Sequence, residues 1–170
     1  MQLRPIWGKI STRQIDQAPE AKNGETNMSA ESEVRAASEQ FYSALNHMAK
    51  GDAGPLAEVW SHAATVTTMH PIGGREAGWD KVGGSWSQVA KLCSGGQVKL
   101  NDQHIQVAGD MAYEVGAEKG EITMGGHKVA IDHRVTNVYR REAGKWKVVH
   151  HHTDVAPAML DVLAKLQAKK

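Results

Sequence analysis

The chain is poor in the features that mark several common classes of protein. It has one cysteine, Cys93, among 170 residues, so an internal disulfide is excluded. No apolar run approaches the ~18 residues that cross a bilayer, and the N-terminus lacks the apolar core of a signal peptide. We therefore expect a cytoplasmic protein that does not enter a membrane.

An excess of charge of one sign is also missing. The chain has 20 Lys and Arg against 19 Asp and Glu, a net charge of +1, and no basic cluster stands out. Nucleic-acid-binding domains and proteins that bind anionic lipid usually carry a basic patch, so neither is expected as a partner. The composition of the whole chain, with 41% hydrophobic and 23% charged residues, is typical of one globular domain.

The spacing of apolar residues divides the chain into three parts. Residues 1–28 show no sustained period and are rich in Gln, Asn, Gly and Pro, which predicts a flexible extension. Residues 29–156 begin with amphipathic helices and continue with strand-like runs separated by short turns, which predicts an antiparallel meander. Residues 157–170 predict a final helix. Helices followed by antiparallel strands indicate an α+β fold.

Four stretches of the chain resemble a known superfamily. They are "FYSALNHMAKGD" leading to "LAEVWSHAATVT", "HPIGGREAGWDKVGGSW", "GDMAYEV" and "RVTNVYRREAGKWKVVHHHTD". Over residues 38–154 the chain resembles the nuclear-transport-factor-2-like (NTF2-like) proteins, and among them the SnoaL-like and ketosteroid-isomerase-like members. The resemblance implies a cystatin-like cone, in which a curved antiparallel sheet wraps around N-terminal helices, here with an added C-terminal helix.

The same resemblance indicates where a site would lie. The general base of ketosteroid isomerases is an Asp before the Pro that ends the first strand, and this position holds His70. The protonated Asp of those enzymes corresponds to Asp132 by the match "IDH", or to Thr136 by counting back from the following turn. Their helical Tyr corresponds to Phe41, with Tyr42 one step away. The steroid-isomerase set is incomplete, so that reaction is not assigned.

The final strand carries three consecutive histidines. Because strand side chains alternate, we expect His150 and His152 to share a face with Trp146, and His151 to take the other face. The resemblance places the first face on the concave side, together with Asp132 and Arg134. The catalytic candidates are His70, Asp132, His150 and His152. The ligand-binding candidates are Arg134, Thr136, Trp60, Trp86, Phe41 and Tyr42.

Three functions fit these residues. Histidine titrates near neutrality, so the leading hypothesis is proton transfer without a cofactor. It would isomerise, dehydrate or cyclise a small, apolar, carbonyl-containing ligand of polyketide or steroid type, with Arg134 holding a carboxylate or enolate-like oxygen. The alternative is a non-catalytic ligand-binding or dimerisation module.

A zinc enzyme is the third hypothesis. His150 and His152 would lie ~6.6 Å apart on one strand face, and such a pair can share a zinc ion with Asp132, Asp154 or His70 as a further ligand. The Arg134 cation nearby argues against a metal, and we predict none.

A homodimer is expected. The sheet face bearing Ile131, His133, Val135 and Tyr139 needs cover, and a second copy could supply it.

Overall fold

The computed structural model describes residues 29–168, and the predicted extension 1–28 lies outside them. Within the described residues there are four helices and six strands. The helices are α1 (Ala30–Met48), α2 (Gly54–Val59), α3 (Trp79–Leu92) and α4 (Pro157–Gln167). The strands are β1 (Thr67–Met69), β2 (Glu76–Ala77), β3 (Cys93–Ala108), β4 (Met111–Met124), β5 (His127–Glu142) and β6 (Lys145–Thr153). None of the helices within residues 29–168 combines the length and apolar character that crossing a bilayer requires.

The strands form one sheet in the order β2-β1-β6-β5-β4-β3. Strands β3 to β6 are the predicted antiparallel meander. Strand β1 joins β6 in parallel, so the sheet is mixed rather than wholly antiparallel. The sheet is curved and unclosed, with β2 and β3 at its edges, and the predicted cone-like α+β fold is confirmed.

Helix α1 occupies the hollow of this sheet. It begins after Ser29, whose side chain accepts a hydrogen bond from the Ser32 backbone N–H at 3.2 Å and so caps the helix. Val34, Phe41 and Leu45 recur along one side of the helix and are buried. The helical spacing in the sequence therefore identifies the face that packs on the sheet.

Strand β5 turns its apolar face inward. Its buried residues are Val129, Ile131, His133, Val135, Asn137 and Tyr139. The expectation that a second copy covers this face is therefore wrong. Apolar surface is buried wherever the chain itself can cover it, and here helices of the same chain do so.

Strand β6 contains a bulge that changes which side chains face inward. Val149 has no partner on β5, because the pairing shifts by one position there. Trp146 and Val148 are buried before the bulge, and His151 and Thr153 are buried after it. The simple alternation expected from Trp146 onward therefore fails at the histidines.

Helix α4 closes one end of the hollow. Met159 on its inner side is buried, and Leu166 packs on the β4–β5 turn. At Gly125 in that turn φ is +57°, and a Cβ atom would lie 2.5 Å from Leu166 Cδ1. Glycine is favoured there by the left-handed backbone, and any larger residue would also have to displace the Leu166 side chain.

Candidate functional site

An apolar cavity lies between the sheet and helices α1, α3 and α4. Its volume is about 50 Å³, enough for only a few water molecules at ~10–15 Å³ each. The polar side chains in its wall are His70, Glu118, His133 and His151. The apolar wall consists of Leu45, Met48, Pro71, Ile72, Trp86, Val89, Leu92, Val98, Ile122, Met124, Ile131 and Met159.

His151 is held in one tautomer at the cavity wall. Its Nδ1 lies 2.7 Å from Asn137 Oδ1, and the Asn137 amide is oriented by Nδ2 donating to the Glu114 carboxylate at 2.7 Å. A carbonyl oxygen only accepts, so Nδ1 carries the hydrogen and Nε2 carries a lone pair. Burial lowers the pKa of His151 to about 4, although the Glu118 charge opposes this, so the ring is neutral at pH 7.

His70 is fixed in the opposite tautomer. Its Nε2 lies 2.8 Å from Ser85 Oγ, and the Ser85 hydroxyl donates to the Val82 carbonyl at 2.8 Å. The Ser85 oxygen therefore accepts from His70, which leaves the lone pair on Nδ1. Burial, and then the charge of His151, lower the pKa of His70 to about 4. The ring packs edge-on against Trp86, with centroids 4.5 Å apart.

Glu118 and His133 form a buried pair. His133 Nε2 lies 2.8 Å from Glu118 Oε2, and the Tyr42 hydroxyl donates to Oε1 at 3.0 Å. Burial alone raises the pKa of Glu118. The hydrogen bond from His133, the electrostatic influence of the His151 and His133 rings, and the hydrogen bond from Tyr42 together outweigh it and lower the pKa. The carboxylate is thus ionised, and the enclosed His133 Nδ1 has no partner within residues 29–168.

A second buried carboxylate, Glu114, lies behind this pair. It accepts from Asn137 Nδ2, from Gln103 Nε2 at 2.8 Å and from the Tyr139 hydroxyl at 3.3 Å. Burial, and then the charges of Glu118 and Glu114, raise the pKa of Tyr42, so its hydroxyl remains a donor. Both carboxylates are therefore satisfied by donors, as a buried charge requires.

The predicted residues of β5 lie on the opposite face of the sheet. The Asp132 and Arg134 side chains are 74% and 85% exposed, and Arg134 binds Asp154 through two hydrogen bonds of 2.8 and 3.0 Å. Thr136 shares their face and is half-buried. The expectation that these three face the concave side is wrong, because the apolar residues that alternate with them form the buried face. Arg134 and Thr136 instead line an open hollow on the outer face together with His152 and Asp154, and Asp132 does not line it.

The bulge reverses which of the three consecutive histidines face inward. His150 is half-buried and its Nδ1 lies 2.7 Å from Thr67 Oγ1, whereas His152 is exposed. As predicted, His150 and His152 share one face, with ring centroids 6.1 Å apart, and His151 takes the other. The prediction that the pair faces inward and His151 outward is wrong. Within residues 29–168 no three His, Cys, Asp or Glu side chains are placed to hold one metal ion.

The predicted aromatic residues divide between wall and core. Trp86 lines the cavity, while Trp60 and Phe41 are buried in the core around it. Tyr42 reaches the site through Glu118. Of the four predicted catalytic residues, His70 lines the cavity and the other three do not.

The sequence-based prediction did not include Glu114 and Glu118. It also placed His133 and His151 on the face of the sheet away from the cavity. Glu114 and Glu118 share a face of β4 with Ile122 and Met124, because side chains repeat every two residues. The sequence signal for buried carboxylates is that both glutamates fall at the alternate positions of β4 that also hold these apolar residues. His133, which alternates with apolar residues of β5, gave a similar signal.

A family described as the SnoaL-like domain matches residues 34–158. The chain belongs to this family. The SnoaL-like chain is also similar in structure to a candidate dehydratase of the NTF2-like family from Streptomyces avermitilis, with 27% identity and a TM-score of 0.65. That match covers 74% of this chain and 95% of the other.

Two further solved structures resemble the SnoaL-like chain. A candidate calcium/calmodulin-dependent protein kinase type II association domain from Thiobacillus denitrificans is 26% identical, with 72% and 94% of the two chains covered and a TM-score of 0.58. An NTF2-like protein of unknown function from Pseudomonas putida is 21% identical, with 75% and 87% covered and a TM-score of 0.63. No curated protein is significantly similar in sequence. The neighbours include both an enzyme candidate and an association domain, so the fold alone does not decide the activity.

Proposed function

We propose that this SnoaL-like protein is a small-molecule enzyme that transfers protons without a cofactor. The observation that carries the proposal is the meeting of three buried imidazoles and one ionised carboxylate at a single apolar cavity. Apolar surroundings strengthen charge interactions within such a site. Isomerisation, dehydration and cyclisation can each proceed by proton transfer to and from such imidazole and carboxylate groups.

His133 is the proposed base. Its Nε2–H is bound to Glu118, so the ring is oriented by a carboxylate. Its buried Nδ1 has no partner within residues 29–168 and is the atom that we propose accepts a proton. A proton taken from a C–H of the ligand creates an imidazolium that the Glu118 charge stabilises. Return of the proton to another carbon completes an isomerisation, and its return to a leaving hydroxyl group completes a dehydration with release of water.

Hydrogen–deuterium exchange tests this proposal without knowledge of the natural substrate. Hydroxyacetone and 2-cyclohexenone are incubated with the full chain in deuterium oxide, and exchange of the C–H positions next to the carbonyl is followed by NMR. We expect catalysed exchange that falls by about 10²- to 10⁴-fold in His133→Gln. The matched control is His152→Gln, which changes an exposed histidine outside the cavity.

The alternative is a non-catalytic binding module that uses the same cavity. The small volume of the cavity and the similarity to an association domain support it. Exchange in the wild-type protein no faster than in His133→Gln would contradict the enzymatic proposal and favour this alternative.

A further inference from the structure

The walls of the apolar cavity are not all held in place by the same kinds of contact. The sheet wall is fixed by the backbone hydrogen bonds that join β3 to β6. Helix α1 is tied to the sheet by Asn46, whose side chain bonds the Val98 backbone N–H and carbonyl at 2.7 and 3.0 Å. Helix α3 is tied to the end of β1 by the hydrogen bond between Ser85 and His70. Opening any of these walls would break hydrogen bonds in the interior.

Helix α4 is held by apolar contacts alone. Within residues 29–168, no hydrogen bond or ion pair joins residues 157–167 to another helix or strand. The side chains that pack on the rest of the protein are Met159, Val162, Leu163 and Leu166. Such contacts have no fixed direction, so α4 can leave and return without leaving a buried donor or acceptor unpaired.

The two ends of α4 differ in how they are attached. At its start, the Ala156 backbone N–H donates to the Pro71 carbonyl at 2.7 Å, which anchors the chain immediately before the helix. At its far end, the Leu166 side chain lies on Gly125 in the β4–β5 turn. The first contact suits a pivot, and the second is an apolar contact that can be released while the pivot stays in place.

Entry of a ligand requires part of the cavity wall to move. The volume of about 50 Å³ holds only a few water molecules, and a ring such as 2-cyclohexenone is bulkier than these. Met159 is the α4 side chain that lines the cavity. When α4 swings outward, Met159 leaves the wall and the cavity opens at that end.

We propose that α4 is a lid that admits ligands to the cavity, with Ala156 as its pivot and the contact between Leu166 and Gly125 as its latch. The proposal rests on the proposed function only in taking this cavity as the ligand site. The open form exposes the apolar side of α4 to water, so the closed form is the resting state. Closure over a ligand excludes water, which strengthens the interaction of Glu118 with a positive charge that forms on His133.

A disulfide across the latch tests the lid. A Cβ atom placed at Gly125 would lie 3.1 Å from Leu166 Cγ, so cysteines at the two positions are within reach of each other. The variant is the full chain with Gly125→Cys and Leu166→Cys, and with Cys93→Ala to remove the native thiol. Its reduced form is the matched control, because it carries the same substitutions and the same left-handed backbone at residue 125.

Benzene is the probe, because dry apolar cavities bind it. Its association with the reduced and oxidised forms, and its release, are measured by NMR exchange spectroscopy. We expect oxidation to slow both rates by about tenfold or more while Kd changes by less than about threefold, and dithiothreitol to restore both rates. Equal rates in the two forms, a change in affinity with an unchanged release rate, or no binding of benzene to the reduced form would each overturn the proposal.

Amide hydrogen exchange of the wild-type protein gives a second test that needs no variant. We expect the amides from Asp161 to Gln167 to exchange together, about 100-fold faster than those in the middle of α1, because α4 opens as one unit. Exchange as slow as in α1, or fast exchange confined to the last turn of α4, overturns the proposal even if the cysteine variant does not fold. Slower benzene exchange in the oxidised form without catalysed deuterium exchange in the wild type would remove the proposed enzymatic activity and leave the lid standing.

Discussion

At the scale of single residues, the tautomers of two of the three cavity histidines, His70 and His151, are decided by partners outside the cavity. Asn137 sets the tautomer of His151, and it is itself oriented by Glu114. Ser85 does the same for His70 through its bond to a helix carbonyl. The chemistry of the cavity therefore depends on residues that do not line it, and two predictions follow at this scale.

Acid should destabilise the protein because His70 and His151 are buried without charge. The pKa of each is about 4 in the folded protein, against 6.5 ordinarily. Between these values the unfolded chain binds more protons, so stability falls as the pH drops from about 6.5 to about 4. The slope is at most ~1.4 kcal/mol per pH unit for each histidine. Urea denaturation at several pH values measures it.

The matched variants for this pH dependence are His151→Gln and His152→Gln. The first removes one buried titrating group and should clearly reduce the slope between pH 6.5 and 4, to which His70 and the half-buried His150, whose pKa burial also lowers, continue to contribute. The second removes an exposed histidine and should leave the slope as in the wild type. An unchanged slope in His151→Gln would contradict the assignment.

Replacing the buried carboxylate should cost stability even without a change in size. In Glu118→Gln the new amide group turns an N–H₂ toward Tyr42 or toward His133, both of which donate. A buried donor left without an acceptor costs about 1–3 kcal/mol, measured as the free energy of unfolding in urea. Glu121→Gln, an exposed change on the same strand, should have little effect, and equal losses in the two variants would speak against the buried pair.

At the scale of elements, α3 shows how neighbours modify an intrinsic helix preference. Gly83 and Gly84 are adjacent in this helix and both weaken it relative to alanine. Nothing lies within 4 Å of a Cβ atom placed at Gly84, whereas one at Gly83 would lie 3.1 Å from the Trp79 ring. The two glycines therefore differ: a methyl group fits at Gly84 but meets the Trp79 ring at Gly83.

Gly84→Ala should therefore stabilise the protein by about 0.4–1 kcal/mol. Gly83→Ala should stabilise it less or destabilise it, because the Trp79 ring must shift. Thermal unfolding of both variants and the wild type gives the comparison. Equal stabilisation in the two variants would show that the contact with Trp79 is not maintained.

Strand β6 illustrates a limit of reading elements from sequence. The run of apolar residues and histidines predicts a strand, and the strand is there. No glycine or proline marks the bulge at Val149, so the sequence predicts uninterrupted alternation along the strand. One extra residue reverses the faces of every residue after it.

At the scale of the whole molecule, we still predict a homodimer, but we expect its interface on the other face of the sheet. The face first assigned to it is buried within the chain, and the opposite face of the sheet exposes Met111 and Tyr113, at 41% and 44%. We expect light scattering of the wild-type protein to give a dimer mass and Tyr113→Asp to give a monomer mass. Leu160→Asp, an exposed change on α4, is the control, and a monomeric wild type would contradict the prediction.

The sequence by itself determined the α+β class, the amphipathic helices and the meander, because each depends on local spacing of apolar residues or on turn residues close together in the chain. The resemblance of four stretches to known proteins indicated the family. The same resemblance indicated His70. Only the tertiary structure decided which faces of β5 and β6 look inward and which histidines meet Glu118. Those outcomes depend on an extra residue in one strand and on hydrogen bonds between side chains far apart in sequence, such as Tyr42 and Glu118, which no local period records.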